Sequence, residues 1–183
     1  MAKAKKKIGI VDFVILGILV VCLVLAIVGL SIDQWTTTDG IQMDVSFGDY
    51  SEMAQNINET NNEVDDALGD WGGIFDDTEV VQSANEKNAE LNAMVAFGYI
   101  TVILIAATLV LYVLKMFLKA GLFRILAGIA GILTLISGVL AIAMTAAFCG
   151  ELLIVGAGAV LLAVGGILGG LTAGAGFFLG KKK

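Results

Sequence analysis

Four stretches of the chain run without a charged residue: Phe13 to Ile32, Ala93 to Leu114, Ile125 to Cys149 and Leu152 to Gly180. A bilayer core of about 30 Å is crossed by roughly 20 apolar helical residues. The pattern therefore predicts transmembrane helices over 8–32, 92–117, 124–148 and 152–180, joined by a turn at 118–123 and a tight turn at 149–151. Between the first two spans the period changes. Trp35 to Thr38 has high β-propensity, Asp39-Gly40 is a favoured two-residue turn, and Ile41, Met43, Val45 and Phe47 alternate with Gln42, Asp44 and Ser46. This reads as a β-hairpin over 34–47. Tyr50, Met53, Ile57, Val64, Leu68 and Trp71 then fall near a helical stripe, which predicts an amphipathic helix over about 49–71. Gly72-Gly73 ends it. Asp76, Asp77 and Thr78 offer N-caps for a helix that runs from about Glu79 into the second span. The predicted fold is an all-α integral membrane protein: a four-helix antiparallel transmembrane bundle with a small extracellular β-hairpin and helix.

Charge orients this bundle. Lysines 3, 5, 6 and 7 lie in the basic segment 1–7, Lys115, Lys119 and Arg124 lie in and around the turn between the second and third spans, and Lys181 to Lys183 form the tail 181–183. Lys87 is the lone cation of the long loop 33–91, which carries fifteen of the seventeen acids. The positive-inside rule puts both termini in the cytoplasm and the acidic loop outside. The first span is far longer than a signal-peptide core, so an uncleaved anchor is expected. The formal net charge of −6 averages a basic inner face with an acidic outer one, and offers nothing to nucleic acid. Composition agrees with the class: 58% of the residues are hydrophobic and 15% charged, against about 25% charged in soluble domains.

The spans differ in texture. The fourth carries Gly166, Gly170 and Gly174, with Gly165, Gly169 and Ala173 beside them, and the third carries Ala130, Thr134, Gly138 and Ala141. Small residues at this spacing let backbones approach closely, either between spans three and four or at a lateral seam between copies. Chemistry is scarce. With no histidine, a Ser-His or Cys-His pair and His-ligated zinc are both impossible. Cys22 and Cys149 are too far apart for a CxxC motif. Asp65, Asp66, Asp70, Asp76, Asp77 and Glu79 are interrupted by Ala67, Leu68 and Trp71, which breaks the ligand pattern of an EF-hand. A non-enzyme with no cofactor and no metal is expected. Asn58-Glu59-Thr60 is a possible glycosylation acceptor on the outer side.

This layout resembles the claudin and peripheral myelin protein 22 superfamily of tetraspans. Gln34-Trp35 after the first span is similar to the tryptophan that closes a claudin's first span. Phe123 to Ile142, an Arg leading an Ala/Gly-rich helix, is similar to its third, and Leu68-Gly69-Asp70-Trp71 distantly echoes its Gly-Leu-Trp element. The chain departs from the family in lacking the loop cysteine pair, a long second outer loop and a PDZ-binding tail. The resemblance implies a plasma-membrane organiser or a cell-adhesion or junction component. Its surface would centre on Trp35, Asp39, Gly40 and Trp71, and its partners would be the lipid bilayer and either further copies of itself or another membrane protein. Two alternatives stand beside it: a small integral subunit or assembly factor of a larger membrane complex, and a passive channel whose acidic vestibule gathers cations.

Overall fold

A computed structural model describes residues 9–38, 41–68, 79–118, 121–150 and 153–179. Its elements are α1 (Ile10–Ser31), β1 (Thr36–Thr38), β2 (Ile41–Val45), α2 (Phe47–Leu68), α3 (Glu79–Phe117), α4 (Gly121–Cys149), β3 (Leu153–Val155) and α5 (Ala157–Leu179). Four helices are long and apolar enough to cross a membrane: α1, the Glu86–Phe117 part of α3, α4, and α5 over Ala157–Phe177. The chain is thus a multi-pass helical membrane protein.

Each span turns one face inward. In α1 the buried positions are Ile15, Leu19, Cys22, Ala26 and Gly29, spaced four and three apart. Val11, Val14, Val21, Val24 and Val28 point outward and stay exposed. In α4 the buried set is small or hydroxylated: Ala127, Ala130, Gly131, Thr134, Ser137, Gly138, Ala141 and Thr145. Bulky apolar residues lie outside, as expected where lipid tails solvate them and packing, not hydrophobicity, draws helices together. Each of α1 and α4 packs against both α3 and α5. Contacts at the two ends set the helices antiparallel: Asp12 of α1 meets Tyr112 of α3, while Trp35 after α1 meets Met94 of α3.

The three strands form one sheet in the order β2-β1-β3. Both pairings are antiparallel, with Thr36 opposite Val45 on one side and Val155 on the other. Thr36, Val45 and Val155 face the bundle, while Asp44 and Ile154 face away and are exposed. Two sequence expectations change here. The fourth span does not begin at 152: residues 153–155 are a strand and the helix starts at Ala157. The apolar triplet Leu-Ile-Val suits a strand and a span equally, and its pairing partner β1 lies more than a hundred residues earlier. The hairpin also stops short of 47. Phe47 opens α2 because Ser46 and Asp49 cap that helix reciprocally: Asp49 N–H donates to Ser46 Oγ (3.1 Å), and Ser46 N–H donates to Asp49 Oδ2 (3.0 Å).

Candidate functional site

The sheet end of the bundle is where polar and aromatic side chains converge. Trp35 is fully buried. Its Nε1–H donates to Met94 Sδ at 3.3 Å, and its ring lies 4.6 Å from that of Phe47, which in turn makes an edge contact with Tyr99 at 5.1 Å. Tyr50 packs edge-on against Phe148 at 5.3 Å and shares a 2.5 Å hydrogen bond with Thr36 Oγ1. One apolar cluster therefore runs unbroken from Cys22, Ile105 and Ala141 in the spans to Trp35, Phe47, Tyr50 and Ala54 beneath the sheet. The stripe that docks α2 is Phe47, Tyr50, Ala54 and Ile57, whereas Met53 stays exposed.

Backbone contact completes the anchor. Gly156 N–H donates to Trp35 O (2.8 Å) and Gly158 N–H to Gln34 O (2.9 Å). A Cβ on Gly156 would collide with the carbonyl of Gln34, and one on Gly158 would lie 2.6 Å from Gly29 O. Glycine at these two positions is what lets the start of α5 lie directly on the end of α1.

Electrostatics is arranged at the helix termini. Lys87 pairs with Glu90 (2.6 Å) and donates to Ala147 O (3.2 Å), one of the last carbonyls of α4. Gly150, in the left-handed region at φ 54°, ends that helix with an N–H bond to Ala146 O. At the opposite end Lys115 donates to Gly176 O (3.2 Å) and Arg124 to Phe177 O (2.5 Å), so two cations cap the C-terminus of α5. Asp12, in the first turn of α1, accepts from Tyr112 OH at 3.1 Å and lies 3.8 Å from Lys115. Two pKa values on the α2 side follow from their surroundings. Hydrogen bonds from the Ser46 hydroxyl and N–H hold the Asp49 carboxyl below the usual carboxylate range. Burial pushes the Tyr50 hydroxyl up, against the opposing effect of its bond to Thr36.

Between the ends, α3 and α4 share two hydroxyl bridges, Thr101 to Ser137 (2.7 Å) and Thr108 to Thr134 (3.1 Å). Thr101, Thr134 and Thr145 also donate back to carbonyls four residues earlier. The small residues split between two faces of α5. Gly166 meets Gly138, and Gly170 meets Gly131 and Leu135, both on α4, while Gly165 meets the Cys22 carbonyl of α1. Gly174, expected on the same ladder, faces open space: a Cβ there would find no atom within 4 Å.

The structure places the expected outer-surface residues unevenly. Trp35 is not a surface aromatic at all; its ring and N–H have partners inside the bundle, so it anchors the sheet instead of presenting it. Asp39, Gly40 and Trp71 lie outside the described residues, as do Gly72-Gly73, Asp70, Asp76, Asp77 and Glu151. Asn58 is exposed on α2, and its side-chain amide exchanges hydrogen bonds with that of Asn92 on α3 (3.0 and 3.3 Å). Among the described residues no three His, Cys, Asp or Glu side chains converge as a metal site, and Cys22 and Cys149 are buried free thiols. Sequence reasoning missed β3, the Thr36–Tyr50 bond and the Lys87 cap. Gly156, a glycine between an apolar triplet and a helix, was the available signal for the first, and Ser46-x-x-Asp49 for the start of α2.

Fold and site together define a four-helix membrane bundle with a small sheet fastened to one end. No protein-family model, curated protein or solved structure matches the chain.

Proposed function

We propose that this chain is a non-enzymatic four-span plasma-membrane protein, a claudin-like organiser or a cell-adhesion or junction component, with both termini cytoplasmic and the sheet outside. The observation that carries the reading is the joining of the two loops at the sheet end into one platform: β1, after α1, is hydrogen-bonded to β3, before α5, over a buried Trp35. Such a platform presents a fixed surface and moves with the bundle beneath it. The spans carry their ionisable side chains near their ends, as in Asp12, Lys115 and Arg124, so they lack the mid-membrane charge on which ion-coupled transport depends. The four spans and the tryptophan-led hairpin support the claudin-like part of the reading.

The test is a mixed culture in which two cell populations express differently tagged chains. Enrichment of both tags at the contacts between the populations, with lateral crosslinking into oligomers, is the expected result. An even distribution over the surface without oligomers would remove the adhesion reading. One stoichiometric co-purifying protein would replace it with a subunit of a larger complex.

A further inference from the structure

The α4–α5 contact is closed by backbone from Gly138 and Gly166 as far as Gly131 and Ala173, and then it opens. The opening is a cleft of about 180 Å³ lined by Ile125, Gly128, Ile129, Ile132, Gly174 and Phe177. The lining is wholly apolar, and its three isoleucines are about half exposed, so the cleft faces outward from the bundle. The missing side chain of Gly174 keeps it open, whereas Phe177 fills the space beside Gly128. Beside it stands Arg124, one residue before Ile125 of the lining, with the guanidinium 5.4 Å from the Phe177 ring centroid. One donor goes to Phe177 O, and Nε is buried with no partner among the described residues. A guanidinium has five N–H donors, and the described residues take up one of them in a hydrogen bond.

We infer that this cleft holds one acyl chain of an anionic phospholipid whose phosphate is bound by Arg124. The cleft opens on the surface of membrane-crossing helices, where the surrounding medium is acyl chain. An apolar cavity of about 150 Å³ accommodates a six-carbon ring, so this one takes a comparable length of chain. The cation at the rim, in the first turn of α4, stands at the level where a headgroup lies, and Arg is suited to bidentate phosphate recognition. A second copy is the competing occupant. Copies in one membrane share an orientation, so the cleft of one would meet the other at the same level, with the Arg124 guanidinium groups of both brought together. Like charges brought together this way oppose association, whereas an anionic headgroup is attracted.

Native mass spectrometry of the purified protein in non-ionic detergent, titrated with phosphatidylglycerol or phosphatidylcholine, tests the assignment. The wild type should retain one phosphatidylglycerol under activation that strips phosphatidylcholine. Gly174→Leu, whose Cβ would meet no atom within 4 Å, fills the cleft and should abolish retention of that lipid. Arg124→Gln should bind it about tenfold more weakly, the scale of one lost charge-assisted hydrogen bond. Gly17→Leu is the control: Gly17 of α1 also has no atom within 4 Å of an added Cβ, and this variant should behave as wild type. Equal retention by wild type and Gly174→Leu, equal loss in Gly17→Leu, or no preference between the two lipids would overturn the proposal. So would lipid-independent dimers crosslinked through Ile129→Cys.

Discussion

Trp35 shows what a single residue does in this bundle. It is fully buried and touches the sheet, α2 and α3 through Phe47 and Met94. Trp35→Ala should cost about 3–5 kcal/mol, the usual range for emptying a large aromatic site, read as a lower midpoint in detergent unfolding. Gly156→Ala should be comparably damaging although it adds one methyl, because that methyl meets the Gln34 carbonyl. Gly174→Ala, facing open space, should leave the midpoint unchanged. Trp35 was legible as the residue that ends the first span, since an aromatic followed by threonines and Asp-Gly stands out after an apolar run. Its burial was not, because that depends on Met94 and Phe47, whose positions are set by the turn of α2 and the length of α3.

For whole elements, packing and hydrogen bonding contribute on different scales. A Cβ at Gly166 would lie 2.8 Å from both Gly138 Cα and Thr101 Cγ2, and overpacking of this kind costs about 1–3 kcal/mol. Thr101→Val instead removes one hydroxyl bridge to Ser137, worth about 0.6 kcal/mol on average in membrane proteins. Gly166→Leu should therefore destabilise the α4–α5 pair more than Thr101→Val destabilises α3–α4, as ranked by unfolding in mixed micelles. The cap of α2 adds a pH dependence. The folded Asp49 carboxyl titrates below its ordinary value, so its contribution is complete at neutral pH and is lost as pH falls from the ordinary carboxylate range through that depressed value. Amide exchange at the start of α2 should accelerate there, and Asp49→Asn should flatten the response. The spans were legible from length and charge alone. Strand β3 was hidden because Leu-Ile-Val serves a membrane helix and a strand alike, and only its distant partner decides between them.

At the scale of the molecule, the lysines predict the orientation in the membrane. Tags at either terminus should be protected from protease in intact cells, and a tag after Gly72 should be cut; the reverse would invert the assignment of sides. The sheet has a further consequence for how the protein is made. Its central strand β1 leaves the ribosome early, and β3 follows more than a hundred residues later, just ahead of the last helix. Until then β1 has a neighbour on one side only. Completion of the sheet therefore requires that synthesis has passed α4 and reached β3. A chain stopped before Leu153 should expose the Thr36–Thr38 edge, readable as faster proteolysis around the hairpin than in the full-length protein. An unpaired strand edge is a template for pairing with another chain, and the arrival of β3 removes it.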